Sequence, residues 1–106
     1  SESLERLYAD YPEFHRLEGE LLLARDPAAG PEAERAFCQA IDLARQHQTK
    51  SLELRASVSL SRLWQRQGKR PEAARLLGKI CGWFTEGFDT ADLIAARMLL
   101  DELDAR

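Results

Sequence analysis

Pro31-Glu32-Ala33 returns forty residues later as Pro71-Glu72-Ala73, and helical periodicity runs through both units almost from end to end. Overlaid on these anchors, Phe37 falls on Leu77 and Ala40 on Ile80. In the helix ahead of each anchor, Gly19 and Leu22 correspond to Ser61 and Trp64. A glycine inside a helix costs about 1 kcal/mol relative to alanine. Its counterpart Ser61 is also small, so both positions mark places where a neighbouring helix comes close. No stretch alternates apolar and polar residues with β-branched enrichment, so strands are not expected. The expectation is an all-α chain of repeated helix pairs.

The apolar spacing predicts five helices joined by short turns. In the first, Phe14, Leu17 and Leu21 recur at i, i+3 and i+7, with Leu22 and Leu23 widening the stripe. Asp10 and Glu13 read as a capping pair and Pro12 suits a first turn; the helix stops near Arg25, where Asp26-Pro27 begins a loop ending at Gly30. Pro31 opens the second, with Ala33, Phe37, Ala40, Ile41 and Ala44 on its buried face, and the polar run 46–49 closes it. The third begins near Ser51 and carries Leu52, Ala56, Leu60, Leu63 and Trp64 on one side; Gly68 fits the left-handed residue that ends many helices. Pro71 starts the fourth, with Ala73, Leu77, Ile80, Cys81 and Phe84 as its stripe and Gly87 as its end. The last follows Asp89 or Thr90 as N-cap, has Asp92 in its positive first turn, and buries Leu93, Ala96, Leu100 and Leu103. A leading segment around Leu4 and Leu7 reads as the end of an earlier helix.

A length of 106 residues is that of one domain. Two cysteines are too few for a disulfide scaffold, and no apolar run approaches the roughly 20 residues of a membrane span. Ser1-Glu2-Ser3 leads into charged residues rather than an apolar signal segment, so a cytoplasmic chain is expected; the absence of Met at the start suggests a piece of a longer protein. The net charge of −3 argues against a nucleic-acid footprint for the domain as a whole. Its distribution is uneven. Residues 1–53 carry 11 acids and 6 bases, residues 55–79 carry seven bases against Glu72 alone, and residues 86–104 carry six acids against Arg97 alone. Such runs are usually solvated faces that partly neutralise each other.

Nothing in this pattern points to a reaction, a cofactor or a metal. Gly78-x3-Gly82 lacks the Lys-Ser/Thr of a phosphate-binding loop. Cys38 and Cys81 lie far apart in or beside apolar stripes, with no ligand partners at short spacing, and read as reduced core thiols. His15 and His47 are isolated, with no serine–acid constellation nearby. The carboxylates Asp10, Glu13, Glu18 and Glu20 are ordinary on a solvated helix face.

Gly19, Leu22, Ala33, Phe37 and Ala40, and more loosely Ser61, Trp64, Gly68, Ala73, Leu77 and Ile80, resemble the tetratricopeptide pattern. The period exceeds the usual 34 residues, and Arg25 to Gly30 adds residues between the first two helices. The stretch from Trp83 through Leu93 with Leu99-Leu100-Asp101-Glu102-Leu103, together with residues 16–23, is similar to the tetratricopeptide-like C-terminal region of bacterial signal-transduction ATPases. Those proteins often carry an adenylate/guanylate cyclase domain, and others a winged-helix DNA-binding domain. The resemblance covers nearly the whole of residues 13–103. It implies a short right-handed solenoid: one repeat at about residues 10–48, a second at about 50–86, and a capping helix at about 90–104. It also implies a non-catalytic regulatory or protein-interaction module at the C-terminal end of a cytoplasmic signalling ATPase. The alternatives are a structural end-cap of a helical-repeat array, or the equivalent module of a transcriptional regulator. In either case Trp83, Phe84 and Phe88 can cover the open end of the last pair, and Trp83 and Phe84 are expected to be mostly buried.

In tetratricopeptide solenoids the first helix of each pair lines a concave groove. Aligned on Gly19 and Ser61, that groove receives Arg16 and Glu20 from the first unit and Arg55, Arg62, Gln65 and Arg66 from the second. Arg55, Arg62 and Arg66 are spaced i, i+7 and i+11, one stripe opposite the Leu52/Ala56/Leu63 side. A solvated face is the plainer reading. The functional one is a groove for an acidic peptide or domain surface, with Asp89, Asp92 and Asp101 as competitors from the chain's own end. Phosphate-backbone binding by three to seven bases would be weak and salt-sensitive. Two repeats also bury a limited core, so Phe14, Leu17 and Leu21 cannot all be covered, and self-association or contact with preceding repeats is expected at that end.

Overall fold

The computed structural model describes residues 6–83 and 91–105. Among them there is no strand. A helical turn at residues 6–8 precedes five helices: α1 (Pro12–Arg25), α2 (Gly30–Gln46), α3 (Lys50–Arg66), α4 (Arg70–Cys81) and α5 (Ala91–Asp104). Each helix packs on the next, and α1 and α5 both lie against α3. The body measures 42 × 32 × 19 Å. Its thin dimension is about two helix diameters, so α1, α3 and α5 form one layer and α2 and α4 the other.

The repeated prolines sit in the first turns of α1, α2 and α4, where a missing N–H costs nothing because that group has no partner within the helix. The expected Asp10–Glu13 cap does not form. Tyr11 is the N-cap, extended and without a side-chain hydrogen bond, and the Glu13 carboxylate instead takes two hydrogen bonds from the Arg16 guanidinium, at 2.8 and 2.9 Å. A charge-assisted bidentate pair is stronger than a single backbone cap. The loop after α1 is held by Asp26, whose Oδ1 accepts from the Ala28 N–H.

The α2–α3 and α3–α4 turns are built alike. Thr49 N–H reaches Ala44 O and Gln48 N–H reaches Arg45 O; Lys69 N–H reaches Trp64 O and Gly68 N–H reaches Gln65 O. Both are paired-bond helix ends with a left-handed residue in the middle. Gly68 takes that role at φ +80°, as its position implied, but the first turn places Gln48 there at φ +58°. A side chain in this region costs about 1–2 kcal/mol. Gln48→Gly is therefore expected to stabilise the protein by up to about 1 kcal/mol, read as a rise in the urea midpoint, whereas no gain would mean the turn is not strained.

Two connected clusters form the core. In the first, Ala33, Phe37, Ala40 and Ile41 of α2 meet Ala56, Leu60 and Leu63 of α3. In the second, Leu54 and Val58 of α3 meet Ala73, Leu77 and Ile80 of α4 and Leu93, Ala96, Leu99 and Leu103 of α5. Trp64 packs against both and donates its indole N–H to Glu34 at 3.2 Å. Gly19 allows a close approach of α2: a Cβ there would lie 2.5 Å from Cε1 of Phe37. Ser61, its counterpart, is fully buried.

Three features differ from the sequence expectation. The buried side of α3 is much wider than one stripe, because the helix is enclosed by α1, α2, α4 and α5; Leu54 and Val58 are core, and Leu52 is only half-buried. Leu99 rather than Leu100 is the fully buried partner of Leu103, with Leu100 packed at the cluster's edge. The fourth helix ends at Cys81, so Trp83 stands on the turn, 40% exposed, with Lys50 Nζ 4.6 Å from its ring centre. It is not a buried cap: it stands at the surface with a cation over its face. Phe84, Gly87, Phe88 and the Asp89/Thr90 N-cap lie outside the described residues, as does Leu4.

Polar groups lock the helices together. His15, 6% exposed, donates through Nε2 to Ala9 O at 2.7 Å, and His47 Nε2 donates to Asp10 O at 3.1 Å. Both histidines thus tie down the segment leading into α1. Glu53 is buried and accepts from Arg45 Nε at 2.8 Å. Arg70 Nη2 donates to the carbonyls of Glu102 and Leu103 at 2.6 and 3.0 Å, placing a cation at the negative end of α5. No helix among the described residues is long and apolar enough to cross a membrane.

Candidate partner groove

α3 is buried nearly all round, and what it leaves to solvent is specific. Beyond Lys50 and Ser51 in its first turn, its exposed residues are Arg55, Arg62 and Arg66. The reason is geometric. Val58 on one side of the arginine strip packs in the cluster shared with α5, and Ser59 on the other side hydrogen-bonds to α1, leaving a narrow row at i, i+7 and i+11 open between them.

That row is the floor of a furrow. Its first part, about 190 Å³, is lined by Arg16, Arg55, Val58, Ser59, Arg62, Asp92 and Ala95. Sharing Arg62 and Ala95, it continues into a second part of about 390 Å³ with Gln65, Arg66, Met98, Leu99 and Glu102. Arg16, Arg55, Arg62, Gln65 and Arg66 all line it; Glu20 lies at its α1 edge, accepting a hydrogen bond from Ser59 Oγ at 2.8 Å with Arg16 Nη1 3.8 Å away.

The two ends of the furrow differ in charge. At the α1 end the arginines are satisfied internally. Glu13 is shared by Arg16 at 2.8 Å and Arg55 at 3.2 Å, and Arg55 also binds Asp92 Oδ2 at 2.8 Å. The Arg16 hydrogen bond, with help from Arg55, holds the Glu13 carboxyl below its ordinary range despite partial burial. Bonding to Glu13 raises the Arg16 pKa and bonding to Asp92 raises that of Arg55. Arg55 is thus a strut joining α1, α3 and α5 rather than a free contact. At the other end, among the described residues, Arg62 and Arg66 have no ion-pair partner. Gln65 donates to Glu102 at 3.2 Å, and Met98, 63% exposed, stands on the opposite wall. Of the acids named as competitors, Asp92 reaches the row, Asp101 has no ion pair there, and Asp89 is outside the described residues.

The contributions of Glu13, Met98 and Glu102 were not foreseen. Glu13 has the same spacing as any exposed helix carboxylate, and the outward side of α5 could be assigned only once its packing on α3 was known. That side is not purely charged, since Ile94 and Met98 are both exposed on it.

Elsewhere the chemistry is plain. A hollow of about 730 Å³ lies along the outer side of α2 between Pro31, Glu34, Arg35, Cys38, Gln39 and Asp42, with Gln67 and Lys69 across from them. Its charges are mixed, and the carboxylates of Glu34 and Asp42 act with burial to raise the Cys38 thiol. Burial is the main cause that pushes the thiols of both Cys38 and Cys81 up. Among the described residues no group of three or more His, Cys, Asp or Glu side chains could hold a metal ion. No family model, curated protein or solved structure matches this chain.

Proposed function

We propose that the chain is a non-catalytic protein-interaction module whose α1–α3–α5 layer receives an acidic peptide or domain surface. The observation that carries this reading is the solvent strip of α3: past the first turn it is all arginine, and among the described residues Arg62 and Arg66 have no ion-pair partner. Two free guanidiniums beside exposed Met98 suit a ligand that alternates carboxylates with an apolar anchor. The alternation of the five helices between two layers is compatible with a tetratricopeptide-like solenoid, in which this layer would be the concave one. The resemblance of residues 13–103 extends the proposal to the parent: a cytoplasmic signalling ATPase, adenylate cyclase-like, regulated through this module.

The test is a fluorescence-anisotropy titration with a labelled helical peptide carrying Glu and Leu at successive i, i+4 positions. The protein should bind it with an affinity that falls as salt rises, since exposed charges are screened within about 10 Å at 0.1 M salt. The Arg62→Ala/Arg66→Ala variant should bind at least about tenfold more weakly, the loss of two charge-assisted contacts, with an unchanged melting temperature. Equal affinity in parent and variant would end the groove reading and favour a structural end-cap.

A further inference from the structure

A second surface, separate from the furrow, is unpartnered and apolar. Leu17 and Leu21 follow Arg16 and Glu20 by one residue each, which turns them about 100° round α1 and away from α3. They are 49% and 58% exposed. With Phe14 and Leu22 they line a shallow apolar groove of about 330 Å³, bounded by Glu18 and Arg25. Phe14 continues the surface into Tyr8, whose ring stacks on it at 6.0 Å between centres, and Tyr8 meets Tyr11 edge-on at 5.4 Å. Leu7 and Tyr11 are also more than half exposed. Scattered apolar residues on a surface need no explanation, but a contiguous patch running the length of a helix marks an interaction site.

The charges at the groove's edge indicate what covers it. Glu18 and Arg25 are seven residues apart, two helical turns, so both flank the same apolar row. Among the described residues the one charged partner of Glu18 is His15, at 3.4 Å, and Arg25 has no ion-pair partner; the Glu18 side chain is half exposed. Opposite charges placed symmetrically about a leucine pair are self-complementary under a two-fold axis. We infer that this face of α1 binds a second copy of the chain, the two α1 helices packing antiparallel about Leu21 and Leu22. In that register each Glu18 lies opposite the partner's Arg25, and Leu21 lies against the partner's Leu22. The contact is small and charge-registered, which suits a weak, reversible dimer. It leaves Arg62 and Arg66 open, so it stands or falls independently of the peptide groove.

Sedimentation equilibrium on the 106-residue chain tests this. The chain should move from monomer toward dimer between about 1 μM and about 1 mM. Leu17→Asp/Leu21→Asp should abolish the dimer, with far-UV dichroism confirming that these exposed changes leave the helices intact. E18R and R25E should each weaken self-association about tenfold or more by setting like charges face to face. Mixing E18R with R25E should restore association as a heterodimer, because each arginine then meets a glutamate. A monomer at 1 mM overturns the inference and leaves the face to a different occupant. So does a dimer that survives the double aspartate variant. A dimer lost with the aspartates but indifferent to E18R, R25E and their mixture overturns the antiparallel register on which the proposal rests.

Discussion

Phe37→Ala is expected to destabilise the protein by about 3–5 kcal/mol, the usual cost of deleting a fully buried aromatic ring. The ring is 0% exposed. It belongs to the cluster of Ala33, Ala40, Ile41, Ala56, Leu60 and Leu63, with Leu22, Leu23 and Trp64 packed around it. Against a typical total of about 5–15 kcal/mol for a small domain, that loss is large enough to leave a visible unfolded fraction. The contact with Gly19 makes the prediction sharper. Gly19→Ala alone should be destabilising even though alanine is the better helix former by about 1 kcal/mol. The new methyl would meet Phe37 Cε1 at 2.5 Å, and overpacking of this kind costs about 1–3 kcal/mol. In the Phe37→Ala background the obstruction is gone, so the same Gly19→Ala change should become stabilising. Urea unfolding of the four proteins completes the cycle. Additive effects, or a gain from Gly19→Ala with Phe37 present, would show that the ring and the glycine do not interlock.

Leu77→Ala should cost about 2–5 kcal/mol and should loosen α5 first. Leu77 is fully buried at the same repeat position as Phe37, in the cluster that joins Leu54 and Val58 of α3 to Leu93, Ala96, Leu99 and Leu103 of α5. Among the described residues α5 packs mainly on α3 and α4, and its polar ties include Asp92 on Arg55, Glu102 on Gln65 and two terminal carbonyls on Arg70. Exposed ion pairs contribute about 0–1 kcal/mol each, too little to hold the helix once its apolar contact is reduced. Hydrogen exchange should therefore rise across residues 93–103 before it rises in α2, since segments with few buried contacts open at lower free energy. A loss under about 1 kcal/mol would mean that Leu77 is not tightly packed, and equal exchange in α2 and α5 would mean that the two clusters are a single cooperative core.

Local chemistry was sufficient for the helices themselves. The prolines at 12, 31 and 71, the left-handed Gly68 and the spacing of Ala33, Phe37, Ala40 and Ala44 act within a few residues of their own position, and all are where the pattern put them. The small position at Gly19 was legible for a related reason: a residue unfavourable in its own helix is explained only by a neighbour, and Phe37 is that neighbour. The incomplete burial of Leu17 and Leu21 also followed, because too few helices exist to cover every stripe.

What required the tertiary structure was anything that depends on which helix lies beside which. A single periodic stripe could not show that α3 is enclosed on several sides, so Leu54 and Val58 read as ordinary positions until α5 was seen to pack there. The arginine row was visible as a spacing, but its division was not: Arg55 is consumed by Glu13 and Asp92, 42 and 37 positions away, while Arg62 and Arg66 have no ion-pair partner among the described residues. Trp83 was decided in the same way by Lys50, whereas Glu13 is paired with Arg16 three residues on and gains only Arg55 across the fold. Helix propensity and capping are decided between near neighbours along the chain, whereas an ion pair or a buried ring is decided by groups brought together only when the layers close.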